Sequence, residues 1–121
     1  MNKITKNEIT AVILAGGQAS RMDGKDKGLI VFRELPLITH VVNVVESKVS
    51  QILISANRNF EEYANFGKVI SDDLEGFQGP LAGISKALKV CSTPYLLVLP
   101  CDSPLIDEAL IDSLIEKMEI S

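Results

Sequence analysis

Ile9-Thr10-Ala11-Val12-Ile13-Leu14-Ala15-Gly16-Gly17, followed by Arg21-Met22-Asp23-Gly24 and Lys27, decides the fold of this chain. Residues 9–14 are apolar apart from Thr10. A continuous run of that kind belongs to a parallel strand covered on both faces, because a strand with one wet face would alternate. Two consecutive glycines then end it. Lacking β-carbons, their backbone N–H groups can approach an anion closely and line up as a phosphate nest. Arg21 and Lys27 supply positive charge where phosphate oxygens would lie, Arg as a planar fork and Lys as a point charge. A Gly-Gly pair after a strand is by itself a turn signal; the two cations shift the reading toward a nucleotide.

Two familiar phosphate loops are excluded by the letters. A P-loop needs Gly-x-x-x-x-Gly-Lys-Ser/Thr, and Asp26 follows Gly24-Lys25 where a hydroxyl would hold magnesium. The dinucleotide pattern Gly-x-Gly-x-x-Gly does not fit residues 16–20 either.

Working outward, apolar runs at 52–55, 68–71 and 95–100 read as further strands. Helical spacing separates them. Leu37, Val41, Val44, Val45 and Lys48 recur behind Pro36, and Leu81, Ile84 and Leu88 follow Gly79-Pro80, with Pro80 suited to a first helical turn. Leu110, Ile111, Leu114, Ile115 and Met118 form an apolar face behind Asp107, a predicted N-cap. This alternation predicts an α/β protein, a three-layer α/β/α sandwich around a mostly parallel sheet. No repeat or low-complexity tract marks a linker. The last helical pattern stops without glycine or proline, so residues 1–121 are expected to form one nucleotide-binding domain lacking its C-terminal portion.

The totals restrict function. A chain of 121 residues with 46% hydrophobic and 23% charged residues fits one globular domain, and no apolar run approaches the roughly 18–20 residues of a membrane span. Residues before Ile9 include lysines but no apolar segment, so no signal peptide is read and a cytoplasmic location is expected. A net charge of −4 argues against nucleic-acid binding, which needs a basic face. Cys91 and Cys101 lie ten positions apart with a single histidine, His40, which gives neither a zinc nor a disulfide pattern. His40 sits within an apolar helical stretch and reads as structural.

A second centre lies at Leu99-Pro100-Cys101-Asp102-Ser103-Pro104, where the most apolar strand ends in a carboxylate. Open α/β sheets bind ligands beyond the carboxyl ends of their strands, so Asp102 and the Gly16-Gly17 loop are expected to share one rim. A lone Asp after a strand is otherwise a cap or turn residue. Beside a phosphate loop it reads as a magnesium ligand, since Mg2+ takes one or two carboxylates together with substrate phosphates. Cys101 has no paired base and is not read as a nucleophile.

Leu14-Ala15-Gly16-Gly17 with Arg21-Met22 and Lys27, Gly79-Pro80-Leu81-Ala82-Gly83, and Pro100-Cys101-Asp102-Ser103-Pro104 together resemble the molybdenum cofactor guanylyltransferase family, whose members join GMP to molybdopterin. The resemblance runs through essentially the whole chain, in order. It implies a Rossmann-like nucleotidyltransferase fold of the GT-A type. Leu14, Ala15, Gly16 and Gly17 would contact the nucleotide, Lys27 would face its phosphates with Arg21 as a second catalytic cation, and Asp102 would hold Mg2+. Asp72 matches the aspartate that recognises guanine, with Asp73 next to it as the alternative; a carboxylate accepts from guanine N1–H and its 2-amino group together, which adenine does not offer. Ser55-Ala56-Asn57-Arg58 matches the family's Asn-Ala-Asn-Arg except at Ser55, leaving Asn57 as the base or ribose contact.

The implied reaction has the terminal phosphate of molybdopterin attack the α-phosphorus of GTP and expel pyrophosphate. It needs no enzyme nucleophile, only alignment and charge neutralisation. The implied partners are GTP, molybdopterin, and molybdoenzymes or cofactor-synthesis proteins, with no nucleic acid and no membrane. Family members continue beyond residue 121 through a segment on the pterin side. A cytidylyltransferase or sugar-phosphate nucleotidyltransferase of the same fold, or a non-catalytic nucleotide-binding domain, remain alternatives. Gly79-Pro80-Leu81-Ala82-Gly83 after Asp72 favours guanine.

Overall fold

The computed structural model describes residues 4–15, 21–22, 25–71, 80–103 and 106–120. From the N-terminus, β1 (Ile9–Leu14) leads to two small antiparallel pairs, β2 (Arg21–Met22) with β3 (Lys25–Asp26) and β4 (Val31–Phe32) with β5 (Leu35–Pro36). There follow α1 (Leu37–Val45), β6 (Gln51–Ser55), α2 (Phe60–Tyr63), β7 (Lys68–Ile70), α3 (Pro80–Val90), β8 (Tyr95–Pro100) and α4 (Glu108–Ile120). Strands β1, β6, β7 and β8 form one parallel sheet in the order β7-β6-β1-β8.

The unbroken apolar run of β1 has its predicted cause. β1 pairs with β6 on one side and β8 on the other, and both of its faces are covered. Ile9, Ala11 and Ile13 pack with Ile38, Val41 and Val45 of α1 and Ile111 of α4. On the opposite face Val12 joins Leu53, Ile70 and Ala87 of α3. Two separate apolar layers therefore enclose the sheet, giving the three-layer sandwich. Each fully buried Ile or Val contributes about 1.5–3 kcal/mol relative to exposure. Thr10, the polar exception, is buried with its hydroxyl 2.8 Å from that of Thr93.

The helices depart from their predicted faces in instructive ways. α3 begins at Pro80 as expected, but Leu88 is 61% exposed and the residues on its inner side are Gly83 and Ala87. A β-carbon at Gly83 would lie 2.4 Å from Ser55 Oγ and 3.2 Å from Leu14 Cδ2. Small residues four apart let this helix settle close to the strand ends, where large ones would hold it off. Gly67 is needed for a similar reason, since a β-carbon there would meet the Ile52 carbonyl oxygen at 2.7 Å. In α4 the N-cap at Asp107 is present, its Oδ1 accepting from Leu110 N–H at 2.8 Å, a contact worth about 1 kcal/mol. Ile111, Leu114 and Ile115 face inward, whereas Leu110 in the first turn is 45% exposed. α1 stops at Val45 and a 3-10 turn carries Lys48, so the regular helix is shorter than the 37–48 pattern.

The two hairpins are absent from the predicted elements because two-residue strands leave no periodicity. The turn between β4 and β5 is made by Arg33 and Glu34 with φ of 53° and 73°, the left-handed geometry that matches strand twist. His40 pins this hairpin to α1 by donating from Nε2 to the Phe32 carbonyl at 2.6 Å, with its ring edge-on to Phe32. The histidine is structural, as its apolar setting predicts. Among the described residues no helix is long and apolar enough to cross a membrane.

Candidate functional site

Three strand ends converge on the rim expected to bind ligand. Leu14 is in register with Ser55 on one side and Pro100 on the other. Beyond the strands, Ala15 N–H donates to the Ser55 carbonyl at 2.8 Å and Ala56 N–H to the Ile70 carbonyl at 2.9 Å. The chain leaves β1 toward β6 and β7 and returns to β8 on the opposite side. Such a switch point opens a crevice at the carboxyl ends of the strands. Leu14, Ala15, Asn57 and Asp102 all lie at this rim. Gly16, Gly17, Asp72 and Asp73 fall outside the described residues, and for Arg21 the structure gives only its backbone pairing with Asp26.

Lys27 reaches the same rim from the 3-10 turn Lys27–Leu29 that follows β3. Its Nζ stands 3.9 Å from Asp102 Oδ2, and the two side chains are 30% and 36% exposed. That separation is too long for a strong hydrogen bond, so both charges remain available to a third group. Gly28 sets the approach. A β-carbon there would fall 3.1 Å from Cys101 Cβ and 3.2 Å from its Sγ, so the turn lies directly against the residue before Asp102.

The residue before Lys27 points the other way. The Asp26 side chain is fully buried, which costs several kcal/mol for an unpaired carboxylate. Three donors offset that cost. Arg58 Nε forms an ion pair with Oδ1, while Asn59 Nδ2 and Tyr63 OH donate to Oδ2 at 2.9 and 3.1 Å. Asn59 adopts φ 57° to do so, a conformation that Asn tolerates better than most residues. Burial first, then the Asp26 charge, raises the Tyr63 pKa, so its hydroxyl remains a donor. In the sequence Asp26 signals only the missing hydroxyl of a P-loop, and nothing there marks this cluster. The available signal was a carboxylate between Lys25 and Lys27, which points to local pairing and not to partners more than thirty residues away.

Burial and the neighbouring Asp102 charge push the Cys101 thiol up to about 11, which disfavours its thiolate at neutral pH. Cys91 sits near the other end of the sheet, half-buried beside Thr93, with its Sγ 3.3 Å from Thr93 Oγ1. Burial raises its pKa, but hydrogen bonds at Thr93 and Thr10 more than offset that, and the net shift is downward. A thiol-specific reagent at pH 8 is expected to label Cys91 well before Cys101, read by mass spectrometry of timed digests. Labelling in the reverse order would contradict this assignment.

Among the described residues no group of three or more His, Cys, Asp or Glu side chains forms a preformed metal cage. Asp102 is a partly exposed carboxylate at the rim that could hold a cation, with the Lys27 ammonium 3.9 Å away.

Residues 11–121 match the MobA-like NTP transferase domain. The chain is 50% identical over 117 residues to a molybdenum cofactor guanylyltransferase of Polynucleobacter asymbioticus, covering 96% of this chain and 59% of that relative. It is 49% identical over 106 residues to one from Pseudomonas aeruginosa, covering 87% and 54%. The chain thus spans somewhat over half the length of these curated relatives. A solved CMP:2-keto-3-deoxy-manno-octonic acid synthetase complexed with CTP shares the fold with a TM-score of 0.75 at 21% identity, over 95% of this chain and 48% of that one. A nucleotidyl transferase from Methanothermobacter does so at 0.73 and 22%, over 91% and 57%. Motif order, sheet topology and these likenesses agree, and the chain belongs to the MobA-like NTP transferase domain family.

Proposed function

We propose that this site binds GTP and transfers GMP to the terminal phosphate of molybdopterin, releasing pyrophosphate, in the cytoplasm. The observation that carries the reading is the meeting of Lys27 and Asp102 at the switch point of the sheet, in a chain half identical to proteins named for this reaction. An ionised phosphate is already a nucleophile, so the chain's residues have to align it with the α-phosphorus and offset charge. Lys27 neutralises phosphate oxygens from the β3 side, with Arg21 as a second cation. Ala15, whose own N–H is taken by the Ser55 carbonyl, leads into the Gly16-Gly17 loop, which gives backbone donors to the phosphates. Asn57 meets the base or ribose at the end of β6. Asp72, two residues beyond β7, accepts from the guanine edge. Asp102 would hold Mg2+, which when bound neutralises charge on phosphate oxygens and on the departing pyrophosphate.

The test is calorimetric binding of GTP, CTP, ATP and UTP with and without magnesium. GTP is expected to bind tightest, with magnesium increasing its affinity; the increase should vanish in Asp102→Ala while the thermal unfolding profile stays close to wild type. A preference for CTP would assign the chain to a cytidylyl transfer instead. Magnesium enhancement surviving in Asp102→Ala would return that residue to a turn role.

A further inference from the structure

We infer that Asp26 is a positioning residue for the phosphate-facing lysine: its buried carboxylate, gripped by Arg58, Asn59 and Tyr63, fixes the Lys27 side chain on the rim beside Asp102. The inference rests on the proposed role of Lys27 in nucleotide binding. Asp26 and Lys27 are consecutive, and the backbone at Asp26 is extended with φ −68° and ψ 130°. Neighbouring side chains on extended backbone point to opposite sides. Asp26 therefore goes fully inward while Lys27 goes to the rim.

The grip comes from two elements that do not belong to the β2–β3 hairpin. Arg58 and Asn59 lie in the loop after β6, and Tyr63 is on α2. On its other flank the turn is stopped by the end of β8. A Gly28 β-carbon would meet Cys101 at 3.1 Å and Tyr63 OH at 3.4 Å. Lys27 is thus carried on a short turn held between a hydrogen-bonded clamp and a close steric contact. A lysine on a flexible stem loses much rotamer entropy when it is held in one place, and a fixed Cα lowers the further loss on meeting phosphate.

Stability alone does not account for the arrangement. A buried ion pair is weak evidence for stability, because apolar residues of similar volume often serve as well. What such residues cannot do is hold a two-residue strand, which lacks a ladder of its own, in one orientation. Three directional bonds to one carboxylate do that.

A double-mutant cycle tests the inference. GTP and guanosine affinities are measured by calorimetry for the wild-type chain, Asp26→Asn, Lys27→Ala and the double variant, with circular dichroism confirming folding of each. Lys27→Ala is expected to weaken GTP by about 10- to 100-fold. Asp26→Asn, in which an amide replaces the ionic acceptor, is expected to weaken GTP about 10-fold and to leave guanosine unchanged. The double variant should bind GTP no more weakly than Lys27→Ala, because a displaced lysine and an absent one are equivalent to the ligand. Losses that multiply in the double variant, or an equal loss for guanosine, would overturn the inference and leave Asp26 a scaffold residue. If Asp26→Asn does not fold, Tyr63→Phe removes one donor while keeping the ion pair, and the same non-additivity with Lys27→Ala is required at a smaller loss of about 3-fold. A Lys27→Ala chain that binds GTP like wild type would remove the proposed function's phosphate contact itself, an outcome distinct from multiplicative losses.

Discussion

Asp26→Ala is expected to lower the folding stability of the chain by about 3 kcal/mol, the low end of the range for breaking a buried pair. The low end applies because the Arg58 side chain is 29% exposed and can recover hydration once its partner is gone. Asn59 is exposed and rehydrates as well, but Tyr63 fares worse. Tyr63 is fully buried, and without Asp26 its hydroxyl loses the acceptor 3.1 Å away, a desolvation penalty of about 1–3 kcal/mol in its own right. Against a total of about 5–15 kcal/mol for a domain this is a large fraction. Urea titration should show a lower midpoint with an unchanged slope. A midpoint equal to that of the wild type would mean that the three donors find other acceptors at no cost.

The second large effect falls on binding. Lys27→Ala should weaken GTP by about 1.5–3 kcal/mol, the value of a hydrogen bond to a charged group, while sparing guanosine, which carries no phosphate. The loss should shrink at high ionic strength, since Lys27 is 30% exposed and its field is screened there. Calorimetry at two salt concentrations separates this from a general defect. Affinity for GTP that is unchanged at low salt would exclude Lys27 from the site.

Sequence alone exposed the parts of this molecule whose cause is local. A six-residue run, apolar apart from Thr10, before Ala15-Gly16-Gly17 specifies a doubly covered strand, Pro80 opens α3, and Asp107 caps α4. The rim was legible as well, because ligands in parallel sheets gather where the strands end and both motifs followed strands. What stayed hidden depends on distance. Gly83 and Ala87 line the inner side of α3 where a count of large apolar residues selects Leu88; small residues signal a close approach only once the partner strand is known. Asp26 is another case, since its meaning lies in Arg58, Asn59 and Tyr63, whose spacing from it carries no periodic signal.

The central place of β1 has a consequence for the order in which this protein forms. Ile9 finds one neighbour at Ser50 and its other only at Tyr95. Pairings so far apart in sequence close slowly, because loop entropy is lost before the contacts return it. Until residues 95–100 dock, an apolar strand waits with one edge open, a condition that favours aggregation. Lys27 meets Asp102 only after that last strand is seated. A nucleotide bound as proposed at this rim would therefore act only after residues 95–100 have docked, by mass action on the paired strands.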